Sequence, residues 1–176
     1  MKPKIKKTVK IISSALTAFV VIMAFLLYGT RFIGLTPYTV LSGSMESVYP
    51  TGSIIYVKKV QPEKLKVKDP ITFKLPNGII ATHRIIETVA PDDGSNNVFF
   101  RTKGDENEIA DGTLVGFEDI IGKPIFCIPF LGYFANYISY PPGKYVALTI
   151  VLALIIIEIM LSIAFDTKKN TDSKQE

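Results

Sequence analysis

The sequence has one cysteine, one histidine and no tryptophan in 176 residues. With Cys127 alone, the chain can form no internal disulfide and no cysteine-built zinc or iron-sulfur centre. His83 is the single imidazole, so a metal site would need mostly carboxylates, and their spacing suggests none. No cofactor is expected. A basic surface is also missing where nucleic acid would need one. The whole chain carries +4, yet Arg31 to Gly143 holds 11 Lys and Arg against 12 Asp and Glu, a net of -1. The basic excess therefore sits in the tails, which argues for membrane topology and against a nucleic-acid partner. No internal repeat or low-complexity linker interrupts the chain.

Long apolar runs are present. Residues 11–30, "IISSALTAFVVIMAFLLYGT", are 20 residues without a charge, and a helix of that length rises about 30 Å, the thickness of the hydrocarbon core. The run is longer than the apolar core of a cleavable signal peptide, so an uncleaved anchor is expected. Residues 145–165, "YVALTIVLALIIIEIMLSIAF", form a second predicted span with Glu158 as its one charge, off the midplane. Lys2, Lys4, Lys6, Lys7 and Lys10 place residues 1–10 in the cytoplasm by the positive-inside bias. Two crossings return residues 166–176, with Lys168 and Lys169, to the same side. Residues 31–143 are then extracytoplasmic, in a multi-pass protein of the cell membrane with the lipid bilayer as a partner. A third uncharged stretch, residues 124–143, contains Pro129, Gly132, Pro141 and Pro142 and makes a poor span. Its aromatics predict a segment lying on the membrane.

The middle of the chain reads as β. "SIIYVKKV" from Ser53 to Val60 is a strand ended by "QPEK", and "IIATHRIIETV" from Ile79 to Val89 follows a "PNG" hairpin turn. Near-alternation places His83, Ile85 and Val89 on one face of that strand and Arg84 and Ile86 on the other. "APDDGSNN" breaks the pattern, "VFFRTK" resumes it, and "TLVGF" and "DIIGKPIFCI" supply further strands around the polar loop "GDENEIADG". No segment between Leu35 and Ile121 has helical period. The expected class is mainly β, a small all-β domain between two transmembrane helices.

Three residue types in this domain can combine into hydrolytic chemistry. A serine hydroxyl is a weak nucleophile that needs a neighbouring base. An imidazole can take its proton and later give it to a leaving amine, and a carboxylate fixes the imidazole tautomer. Ser44, His83 and either Asp105 or Asp111 provide these groups. Gly43 and Met45 set Ser44 on a tight bend with its N–H exposed, and Ser42 offers a second donor for an oxyanion hole. Ser47 and Ser53 read as turn residues. Ile54 and Tyr56, on the strand after Ser44, are the expected walls of a shallow pocket that accepts alanine.

"SGSM" at Ser42 to Met45, "THR" at Thr82 to Arg84 and "KGDENEIAD" at Lys103 to Asp111 together resemble, in order, the boxes of type I signal peptidases. The likeness is to the endoplasmic-reticulum type, also found in archaea and in Gram-positive spore-forming bacteria. "IPFLGY" at Ile128 to Tyr133 resembles the segment that follows those boxes. The resemblance implies a signal-peptidase-like catalytic domain in which Ser44 is the acylated nucleophile and His83 the general base. It further implies Asp111 as the partner of His83, Asp105 as a supporting residue and Ser42 in the oxyanion hole. Substrates would be signal-peptide-bearing preproteins cut after small-X-small sites, with the secretion translocon as a possible partner. Two departures from the pattern stand beside Ser44: Ser47 where many relatives have proline and Ser53 where they have aspartate. Two other classes compete with this reading. One is a non-catalytic surface or assembly module, for which Ser44 would be dispensable. The other is a cysteine transpeptidase using Cys127 with His83, which the apolar "IFCIPF" run disfavours.

Overall fold

The computed structural model describes residues 3–90 and 98–172. Residues 91–97 of the polar loop expected after Val89, and the last four residues of the C-terminal tail, lie outside that range. The chain divides into two compact units, one of them Tyr28–Ala135.

Six strands form one antiparallel sheet in this unit: β1 (Leu35–Thr39), β2 (Ile54–Lys58), β3 (Pro70–Lys74), β4 (Ile80–Val89), β5 (Phe99–Lys103) and β6 (Ile120–Ile128), in the order β1-β2-β6-β3-β4-β5. β2 is a continuous apolar run because four of its five residues are buried. β3 and β4 form the hairpin around "PNG". Gly78 turns with φ 85° and its N–H donates to Leu75 O at 2.8 Å, while the Ile79 N–H donates to the Asn77 side chain at 3.1 Å. β1 and β3 are strands that the sequence pattern concealed, since each contains a proline. Pro37 is tolerated because β1 is an edge, and Pro70 because it opens β3. "TLVGF" contributes a single bridge, Val115 to Phe100, rather than a strand.

The sheet covers two apolar clusters. Leu65, Ile71, Phe73, Ile85, Phe100 and Val115 fill one, and Met45, Tyr49, Ile55 and Val57 the other. The second cluster lies directly under the Ser44 turn.

The other unit contains α1 (Pro3–Leu27) and α3 (Gly143–Asp172). Thr8–Leu27 and Gly143–Ile163 have mean hydropathies of 2.2 and 2.8, with 6% of each window buried. A core helix of a soluble protein would bury most of that surface, so exposure on this scale fits helices that face lipid over most of their surface. Two such helices support a multi-pass protein associated with a lipid bilayer. Within the pair, Ser13 Oγ donates to Glu158 Oε1 at 2.9 Å and Thr17 Oγ1 to the same oxygen at 3.4 Å. The one carboxyl group in the spans is thereby hydrogen-bonded to the neighbouring helix.

Two helices run past the predicted spans at their charged ends. α1 begins at Pro3, inside the basic tail, and α3 continues to Asp172, past Phe165; a helix keeps its backbone bonded through adjoining lysine-rich sequence that favours helix. The stretch 124–143 is not one segment. Its first five residues complete β6, and Leu131–Ser139 form α2, nine residues long and so too short to span. Nor is the chain mainly β. Helices of 25, 9 and 30 residues outweigh six strands of 5 to 10, because each span must match the bilayer thickness; the β class holds for the central unit alone.

Candidate active site

Ser44 sits in the turn between β1 and β2. The Glu46 N–H donates to Gly43 O at 3.0 Å, and the N–H groups of Val48 and Tyr49 donate to Met45 O at 3.0 and 2.7 Å. Met45 is 2% exposed. Burying such a side chain contributes about 2 kcal/mol, against about 1 kcal/mol for a turn hydrogen bond. The inserted Met45 therefore does more than any single bond to hold the turn. Glu46 closes the turn by accepting the Thr51 hydroxyl and N–H at 2.6 and 2.9 Å, contacts that lower the pKa of its carboxyl group.

His83 lies on β4 opposite Ile71, with its ring set edgewise against Phe73 at a centroid distance of 6.2 Å. His83 Nε2 is 3.1 Å from Ser44 Oγ, and Nδ1 is 2.6 Å from Asp111 Oδ2. Asp111 is itself held by Thr102. Its N–H donates to Thr102 O at 2.8 Å, and its Oδ2 accepts the Thr102 hydroxyl at 2.6 Å. Residues 39 and 28 positions from His83 thus converge on its two ring nitrogens.

Asp105 occupies a different place. It receives Arg84 Nε and Nη2 at 2.8 and 2.5 Å, while Arg84 Nη1 donates to Lys68 O at 2.8 Å. Neighbouring residues of one strand thereby engage the two aspartates separately, His83 taking Asp111 and Arg84 taking Asp105. The Arg84 hydrogen bonds hold the Asp105 carboxyl below its usual range, and the guanidinium is correspondingly raised.

The acid loop also grips the serine turn through its backbone. The Glu106 N–H donates to Ser44 O at 3.0 Å, and the Asp105 N–H donates to Met45 Sδ at 3.2 Å. Gly104 permits this approach. A Cβ there would lie 2.7 Å from Ser44 O and 2.9 Å from Ser44 Cβ. Met45, Arg84, Thr102 and Gly104 all shape the site, yet sequence reasoning gave the last three no part in it. The glycine before Asp105 was a usable signal; a threonine at a strand end was none.

Ser42 Oγ, the expected oxyanion-hole donor, is 3.4 Å from Ser44 Oγ. Ile54 and Tyr56 are not pocket walls. They are 3% and 0% exposed, and Tyr56 stacks on Phe126 at 4.4 Å. Alternate residues of a strand face opposite ways, so Ile55 is the β2 residue that reaches the groove. That groove, about 570 Å³, joins Ser44 and His83 to Tyr38, Val40, Leu41, Ile55, Ile80 and Ala81. Cys127, on β6, pairs with Ile55 of β2 and packs on the Met45–Tyr49 cluster. The imidazole nitrogens are directed to Ser44 and Asp111.

The Asp105 clasp sets a pH dependence. A carboxyl whose folded-state pKa is depressed stabilises the fold above its unfolded pKa of about 4, and that contribution is lost as pH falls through the folded value. Limited proteolysis of the full chain should find the 104–111 loop protected at neutral and mildly acidic pH and progressively cut below about pH 4. Asp105→Asn should be cut more readily at neutral pH and lose that acid-dependent step. Equal protection of the two proteins at neutral pH would refute the clasp.

No protein-family model matches the chain. It is similar to signal peptidase I W of Bacillus subtilis (strain 168), 41% identical over 88 residues that cover 49% of this chain and 45% of that protein. It is also similar to the signal peptidase complex catalytic subunit SEC11C of Homo sapiens, 27% identical over 128 residues covering 68% of this chain and 66% of the relative. A third relative, SEC11 of Schizophyllum commune, is 30% identical over 115 residues covering 53% and 60%. The chain spans about half the length of the Bacillus relative and just under two thirds of the human one. A β domain flanked by two apolar helices, with these likenesses, is consistent with the signal-peptidase superfamily.

Proposed function

We propose that the chain is a membrane-bound serine endopeptidase that removes signal peptides from exported preproteins after small-X-small sites. The observation that carries this reading is the connected set Ser44, His83 and Asp111, at 3.1 and 2.6 Å. The likeness to proteins named signal peptidase I W and SEC11C supports the choice of substrate.

In this reading His83 Nε2 takes the Ser44 proton as Oγ attacks the scissile carbonyl carbon. Asp111 accepts the Nδ1–H and stabilises the imidazolium that forms. The Ser44 N–H and the Ser42 hydroxyl stabilise the oxyanion. His83 then returns the proton to the departing mature N-terminal amine, and water hydrolyses the acyl-enzyme by the same relay. Both termini are cytoplasmic, the β unit is extracytoplasmic, and the translocon delivers the substrate. The apolar groove beside Ser44 receives the extended segment ahead of the cut.

The test is incubation of membranes containing the full chain with a precursor bearing an Ala-X-Ala site, followed by sequencing of the new N-terminus. Cleavage directly after the second alanine is expected, with none in membranes lacking the chain. An uncut precursor would favour a non-catalytic surface module.

A further inference from the structure

We infer that Thr102 is a positioning residue for this site: by holding Asp111 against His83 it fixes which ring nitrogen bears the proton. Its effect on rate rests on the proposed hydrolytic reading, whereas its effect on the imidazole does not.

Thr102 lies on β5 and is 0% exposed. Its hydroxyl is 2.6 Å from Asp111 Oδ2, and its carbonyl accepts the Asp111 N–H at 2.8 Å. An ionised carboxylate only accepts, so the hydroxyl must donate to it. The same oxygen is 2.6 Å from His83 Nδ1, which must then also carry its proton. Nε2, 3.1 Å from Ser44 Oγ, is left with the lone pair that a base requires. One carboxylate oxygen thus takes two donors, and the buried Thr102 hydroxyl keeps it facing Nδ1.

Removing the Thr102 hydroxyl leaves the second donor alone on that oxygen. The carboxylate is then free to turn away from Nδ1, and the neutral ring can carry its proton on either nitrogen. A ring protonated at Nε2 has no lone pair to offer Ser44. The other groups near the ring remain in a Thr102→Val protein: the Arg84–Asp105 pair, Tyr49, and Lys103, whose ammonium donates to Asn107 O at 2.7 Å. The change is therefore confined to the Asp111 contact.

Because the chain has one histidine, imidazole nitrogen NMR of the full labelled chain in micelles reads this site without ambiguity. The parent should show the Nδ1–H tautomer in its neutral form. Thr102→Val should show a mixture of the two neutral tautomers, while Thr102→Ser should match the parent. Against an Ala-X-Ala precursor, Thr102→Val should lower kcat roughly ten-fold with KM unchanged. Thr102→Ala provides the donor-free protein if valine prevents folding. An unchanged tautomer in the donor-free protein, or a Thr102→Ser protein that behaves like the donor-free one, would overturn the inference. A parent that cuts nothing while its ring still responds to Thr102 would instead overturn the hydrolytic reading and leave the positioning role intact.

Discussion

Ser44→Ala and His83→Ala are each expected to lower cleavage of an Ala-X-Ala precursor by about a million-fold, and the double replacement to do no further harm. In the proposed mechanism Ser44 and His83 act as one unit. Without the hydroxyl the imidazole has no proton to take, and without the imidazole the hydroxyl is a poor nucleophile at neutral pH. Their separation of 3.1 Å is what makes that coupling direct. The variants should remain folded, because the turn is held by buried Met45 and the backbone bonds around it rather than by the Ser44 side chain. Rates measured with circular dichroism as a folding control distinguish the possibilities. Full activity in Ser44→Ala would exclude the mechanism, and losses that multiply in the double variant would mean that the two residues act independently.

The second large effect separates the aspartates. Asp111→Asn should leave the chain folded but lower turnover by about ten-thousand-fold, since an amide can favour the wrong imidazole tautomer and cannot balance the cation. Asp105→Asn should act through structure. It removes the anion gripped by Arg84, frees the loop that rests on Ser44 and Met45, and reduces protease resistance together with rate. Cleavage rates normalised to folded protein provide the comparison. A folded, inactive Asp105→Asn beside an active Asp111→Asn would reverse the two roles.

Much of this arrangement was legible in the sequence because it rests on local chemistry. The apolar runs marked α1 and α3, "PNG" marked the turn that leads into β4, and three short boxes contained Ser44, His83 and both aspartates. What was not legible depends on tertiary placement. Proline hid β1 and β3, whose positions at an edge and at a strand start make it harmless. The phase of β2 could not be read from a run apolar at every position, so Ile54 and Tyr56 were taken for the groove side in place of Ile55. The two aspartates share one polar loop, and nothing in their spacing states that Arg84 claims one and His83 the other.

The strand order carries a consequence for biosynthesis. β6 is the last strand to be made, yet it lies in the middle of the sheet, pairing β2 on one side and β3 on the other. Until it inserts, the β1–β2 piece that bears Ser44 and the β3–β4–β5 piece that presents His83 have no ladder joining them. The strands that carry Ser44 and His83 are therefore joined through the sheet only after the chain has been synthesised through Ile128. A chain halted before that point holds both residues without the ladder that brings their strands together.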